Sequence, residues 1–137
     1  MKTKPVLNTK LSKNQALVIE LLINAGRPLG AYSILDALRD KGFNAPPQVY
    51  RALHQLLELG LIHRLESLNA YIACQLDTCH SHHNKNTSFV ICEGCGMVQE
   101  LSSSTVADAV AVLVNKCNFV PTKSAIEISG LCHKCIA

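Results

Sequence analysis

Four of the seven cysteines in this chain stand in two Cys-x-x-Cys pairs, Cys92/Cys95 and Cys132/Cys135. Two such pairs in one chain of reduced thiols read as the ligand set of a tetrahedral zinc ion, each pair approaching the metal from a tight turn. The first turn is Cys-Glu-Gly-Cys-Gly and the second Cys-His-Lys-Cys, with Gly94 and Gly96 free to take φ > 0 in the first. Four thiolates complete the coordination sphere and leave no position for a substrate, so the expected centre is structural and not catalytic. The competing interpretation is a pair of buried disulfides or free thiols. Because the pairs are far apart in sequence, the metal would tie the segment around 132–135 back to residues 92–100.

A chain of 137 residues has room for one domain or two small ones. Apolar residues make up 48% and aromatics only 4%, so aliphatic side chains must fill the core. No apolar stretch follows the basic start Met1-Lys2-Thr3-Lys4, and the longest apolar run, Val106 to Val114, is broken by Asp108 and too short for a bilayer. The expectation is a cytoplasmic protein with no membrane role, in a compartment where thiols stay reduced and cysteines more often bind metals. Residues 1–75 carry nine Lys/Arg against five Asp/Glu, while residues 76–137 carry four against five. The positive charge therefore lies in the half without the cysteine pairs. That distribution suits a nucleic-acid-binding half joined to a neutral metal-binding half, although a solvated surface gives the same totals.

The elements that must position these groups can be read from periodicity. Ser12-Lys13-Asn14-Gln15 forms a capping box, and Val18, Leu21, Leu22 and Ala25 follow at helical spacing until Gly26-Arg27-Pro28. A second helix is expected from Ala31 to Lys41, with Gly42 as its stop. Pro46-Pro47 opens a third, whose buried stripe is Val49, Leu53, Leu56 and Leu57 and whose end is Gly60. Leu61–Glu66 and Ala70–Cys74 alternate around Ser67-Leu68-Asn69 and read as a hairpin. Three short helices and a hairpin make a winged helix-turn-helix over residues 1–75. Residues 76–87 are polar and aperiodic, a linker. Residues 88–137 supply two strands around the first cysteine turn, a helix over 102–117 and a last strand at 124–129. That helix is apolar on most of its surface and must be covered on both sides; a dimer partner would do it. Cys117, at its end, is expected to be buried.

On the third helix Gln48, Arg51 and Gln55 share one line, with Tyr50 and His54 beside it. Arginine pairs with guanine in bidentate fashion and glutamine with adenine, so this is the expected DNA-reading face, with Tyr32 and Arg64 as secondary contacts. A polar helix face touching only water is the alternative. Asp36 and Arg39 are spaced for a local helix pair.

Pro-Pro-Gln-Val-Tyr-Arg-Ala-Leu (46–53), His-Arg-Leu-Glu-Ser-Leu-Asn-Ala-Tyr (63–71), Ile-Cys-Glu-Gly-Cys-Gly (91–96) and Gly-Leu-Cys-His-Lys-Cys (130–135) together resemble the ferric uptake regulator (Fur) family. The likeness runs from about residue 10 onward, and the wing motif looks like the zinc-uptake-regulator branch. The resemblance implies an α+β chain: an N-terminal winged helix followed by a C-terminal α/β dimerization domain with a structural zinc site. It implies that Cys92, Cys95, Cys132 and Cys135 hold that zinc. His63, Cys74 and Glu100 match the ligands of a second, regulatory zinc, whose fourth ligand is a linker histidine; of His80, His82 and His83, the preferred one is His82. Arg51 and Tyr32 match DNA-contacting positions. Two departures stand out: Gln48 replaces the usual threonine, and Gly30 replaces a better helix cap. Cys79 and Cys117 match nothing in the family pattern.

Ligands drawn from wing, linker and dimerization domain would let one ion join two loosely connected halves. A thiolate, two imidazoles and a carboxylate suit zinc, and the thiolate argues against an oxygen-rich manganese site. A four-residue hairpin loop would place His63 opposite Cys74, whereas a three-residue loop shifts the pairing by one. The expected function is a zinc-responsive repressor of zinc-uptake genes that binds palindromic double-stranded operator DNA as a homodimer, with zinc as corepressor. One structural and one regulatory zinc per chain, no small-molecule substrate and no catalysis are expected. An iron, manganese or peroxide sensor of the same family is one alternative, and a structural zinc-ribbon interaction module another. A redox or deaminase enzyme is disfavoured, since neither a strand–Cys-x-x-Cys–helix pattern nor a His-x-Glu motif partnered with Pro-Cys-x-x-Cys occurs.

Overall fold

The computed structural model describes residues 10–75, 86–101 and 104–136. The chain divides into two compact units, Met1–His82 and His83–Ala137.

In the first unit, helix α1 spans Lys13–Ala25. Ser12 Oγ accepts from the Gln15 N–H at 3.2 Å, and Gln15 Oε1 accepts from the Ser12 N–H at 3.1 Å, so two of the helix's orphan donors are satisfied reciprocally. Gly26 closes α1 at φ 61°, the left-handed conformation that favours glycine. Helix α2 is shorter than its sequence pattern, Ala31–Leu38, and its last turn tightens into a 3-10 helix over Arg39–Lys41 before Gly42 at φ 102°. The reason is Phe43: its N–H reaches back to the Leu38 carbonyl while its ring is fully buried. Gly30, as expected, caps α2 without a side-chain bond. Helix α3 spans Pro46–Glu58. Val18, Leu22, Ile34, Val49 and Leu56, none with any exposed surface, form the centre where the three helices meet.

Strands β1 (Ile62–Leu65) and β2 (Ala70–Ala73) pair antiparallel through the connection Glu66–Asn69, with Asn69 at φ 46°. Two backbone bonds between Leu29 and Tyr71, of 2.9 and 2.8 Å, attach this wing to the segment ahead of α2. The loop has four residues, but it lies one position earlier than the four-residue arrangement that would set His63 against Cys74. His63 therefore faces Ile72, two positions from Cys74, so neither of the two registers considered is the observed one.

In the second unit, β3 (Asn86–Cys92) is the central strand. It pairs antiparallel with β4 (Val98–Leu101) and parallel with β5 (Ser124–Gly130), and α4 (Ser104–Asn115) lies between β4 and β5 in sequence. The strand begins at Asn86, so the last two residues assigned to the linker belong to the sheet. The rest of that linker, with Cys79, His80, His82 and His83, lies outside the described residues. Phe89, Ile91, Cys92 and Val98 are buried in the sheet. No described side chain of α4 is buried, and Val112 and Leu113 are 56% and 63% exposed. Cys117 sits in the turn after α4 and is exposed, contrary to the expectation, because α4 ends at Asn115 and the turn that follows is itself exposed. A winged helix-turn-helix followed by an α/β unit is thus the observed architecture.

Candidate functional site

The parallel pairing of β3 with β5 sets Cys92 beside Gly130, so two segments distant in sequence end at the same edge of the sheet. The Glu93 N–H donates to the Gly130 carbonyl at 2.7 Å, and the Cys132 N–H donates to Cys92 Sγ at 3.3 Å. Each Cys-x-x-Cys then closes its own turn: Gly96 N–H to the Cys92 carbonyl at 2.9 Å, and Cys135 N–H to the Cys132 carbonyl at 2.8 Å. The result brings the sulfurs of Cys92, Cys95, Cys132 and Cys135 within 4.8 Å of one another. Zinc–sulfur bonds of about 2.3 Å in a tetrahedron require sulfur separations of about 3.8 Å. Cys95 and Cys132 are 3.7 Å apart, so the cage has the size for zinc.

Glycine is needed at Gly94 for space and not for φ. A Cβ there would stand 2.9 Å from Cys135 Sγ and 3.0 Å from its Cβ, whereas only Gly96 (φ 76°) uses the left-handed region in this turn. Donation from the backbone N–H groups of Cys132 and Cys95 pulls the Cys92 thiol down to about 6, against the opposing effect of burial. Hydrogen bonding with the Cys132 and Cys92 sulfurs, and then burial, push the Cys135 thiol up to about 12. Sulfurs this close cannot all carry charge unless a cation lies among them, which is the electrostatic argument for a metal here.

The candidate DNA face lies on the first unit. Arg51 is exposed on α3, and among the described residues its side chain makes no ion pair or hydrogen bond. Tyr32 and Tyr50 are exposed as well, at 67% and 46%. The two glutamines differ from expectation. Gln48 Oε1 accepts from the backbone N–H groups of Asn44 at 2.6 Å and Ala45 at 3.0 Å, so its carbonyl oxygen is not available for adenine. It performs the cap that Ala45, which has no side-chain acceptor, cannot supply. Gln55 Oε1 accepts from Gln15 Nε2, which ties α3 to the start of α1. Arg64 is engaged within the wing, donating to Glu66 Oε1 and Asn69 Oδ1, each at 3.1 Å. His54 faces Glu58 at 3.3 Å, and Asp36 pairs with Arg39 at 3.0 Å as its spacing implied. The Gln15–Gln55 tie crosses forty residues, and no local pattern signals it.

Residues 7–129 match the ferric uptake regulator family. This chain belongs to that family. It is 36% identical over 130 residues to the zinc uptake regulation protein of Escherichia coli (strain K12), a match covering 94% of this chain and 74% of that protein. Among solved structures it is similar to a zinc uptake regulator complexed with zinc and DNA, at 35% identity and a TM-score of 0.84, over 94% of this chain and 85% of the other. Holo XcZur is similar at 36% identity and a TM-score of 0.82, over 93% and 87%.

In this Fur-family chain the residues assigned to a second ion sit as follows. His63 is half-buried on β1, and Cys74 follows β2 with its N–H bonded to the Leu61 carbonyl at 3.0 Å. Since His63 faces Ile72, and Cys74 is two positions beyond Ile72, the two side chains share one face of the wing on a diagonal. Cys74 is disulfide-bonded in this structure, so its sulfur becomes a ligand only on reduction. In the second unit Glu100 is a buried carboxylate on β4, opposite Phe89. His82 lies outside the described residues.

Proposed function

We propose that this chain is a zinc-responsive transcriptional repressor of zinc-uptake genes, binding palindromic operator DNA as a homodimer in the cytoplasm, with zinc as corepressor and no catalytic role. The observation that carries this reading is the similarity, over nearly the whole chain, to a zinc uptake regulator complexed with zinc and DNA. The winged helix, with Arg51 exposed on α3, and the sulfur cage in the second unit supply the two parts such a protein needs.

Cys92, Cys95, Cys132 and Cys135 would hold one zinc, whose contribution is structural. His63, the reduced Cys74, Glu100 and His82 would hold the second. Support for that set comes from the shared face of His63 and Cys74, and from the placement of Glu100 as a buried carboxylate on β4. Its ligands come from both units and the connection between them. Binding there would favour one arrangement of the reading helices over others, and a ligand shifts a population only by such a difference in affinity. Exposed apolar side chains on and after α4, Val112, Leu113, Phe119 and Val120, support a homodimer through the second unit.

The test is a zinc titration of operator binding by reduced protein in which only the four-sulfur site is filled at the start. Affinity for the operator should rise as the second zinc enters. Affinity that stays flat across the titration would remove zinc from the role of corepressor.

A further inference from the structure

The orientation of the Gln48 carboxamide is fixed by chemistry. Two backbone N–H groups, those of Asn44 and Ala45, point at one of its terminal atoms, and an N–H can only donate, so that atom is the oxygen. Both lone pairs of the oxygen are then taken. What Gln48 has left is Nε2 with its two hydrogens, a donor and nothing else. Bidentate recognition of adenine needs one donor and one acceptor from the same amide, and Gln48 no longer has the acceptor.

The backbone around it is in the same condition. The N–H groups of Asn44 and Ala45 are bonded to Gln48, Pro46 and Pro47 have none, and the Gln48 N–H donates to the Ala45 carbonyl at 3.1 Å. No main-chain donor from Asn44 through Gln48 is left for DNA. Contacts that fix a reading helix on the duplex go mostly to phosphate oxygens, which are acceptors only. Gln48 is half-buried, and a side-chain amide whose oxygen is clamped and whose nitrogen makes no hydrogen bond among the described residues has the donor that requirement calls for.

We propose that Gln48 is a positioning residue: it donates through Nε2 to a backbone phosphate of the operator, takes no part in base choice, and leaves base selection on α3 to Arg51. This rests on the DNA-binding reading given above. It turns one carboxamide into both the cap of α3 and the anchor of that helix, with the cap fixing where the anchor points.

Two variants of the zinc-loaded, full-length protein separate these roles. Gln48→Glu keeps an acceptor for both N–H groups, in a position where a helix start favours negative charge, but has no donor. Gln48→Met is neutral and of similar length, with neither cap nor donor. Binding is measured on an operator series in which each base pair is changed in turn, alongside thermal unfolding. Gln48→Glu should hold the melting temperature of the parent, Gln48→Met should lower it, and both should weaken every operator sequence by the same factor, roughly tenfold. The ranking of bases at each position should stay that of the parent, whereas Arg51→Ala should flatten it at one position per half-site. A change of base ranking in either Gln48 variant would make Gln48 a reader and overturn the proposal, as would parental affinity in either. Failure of the parent itself to prefer any sequence over random DNA would instead sink the DNA-binding reading.

Discussion

A methyl group added at Gly94 would press on the sulfur of Cys135 and on its Cβ, and both belong to the cage. Gly94→Ala should therefore weaken zinc retention by about 10–100-fold, the range in which displaced supports of metal ligands fall. Competition against a graded chelator reads this directly, and a variant holding zinc as tightly as the parent would mean that the 93–95 turn yields at no cost. The four cysteines of the cage were legible from sequence because their spacing is itself the geometry of two turns. The closeness of Gly94 to Cys135 was not, because it is set by the β3–β5 pairing that puts Cys92 beside Gly130. Gln48 illustrates the same boundary. Its residue type suggested base reading, whereas its bonds to Asn44 and Ala45 exist only once α3 has been placed against the turn before it.

Helix α1 could be read almost residue by residue, since cap, apolar stripe and stop signal all agree. Ser12→Ala should cost about 1 kcal/mol by removing a cap bond. Gly26→Ala should cost about 1 kcal/mol as well, for a different reason: the space around Gly26 is open, so the whole effect is the left-handed backbone. Urea unfolding of each variant and of the pair tests this, and the two costs should add, because cap and stop lie at opposite ends of α1. Where local signals conflict, the reading lost accuracy. The last turn of α2 looks helical in sequence, but burial of Phe43 tightens it to a 3-10 turn. The wing's strands were clear, but its register depended on which four residues form the loop, and alternation alone does not decide that.

At the scale of the molecule, α4 carries an apolar surface that the described residues of its own chain leave uncovered. Leu113→Asp should convert a dimer into a monomer in sedimentation, and operator affinity should fall with it. A variant that stays dimeric would move the interface off this helix. Zinc counting addresses the other half of the assembly: reduced parent should bind two ions per chain and Cys74→Ser one, with the fold retained. The two-part organisation was visible in the charge asymmetry and the cysteine placement, and the need for a cover on α4 in its all-round apolar pattern; which side chains would meet such a cover was not, because a single sequence carries no image of a partner. The parallel pairing that joins Cys92 to the segment after Gly130 has one more consequence. During synthesis the first cysteine pair leaves the ribosome long before the second, and half a cage binds metal poorly. Cage closure therefore waits for Cys135, so a chain that stalls after α4 has neither β5 nor the second cysteine pair to complete the clasp.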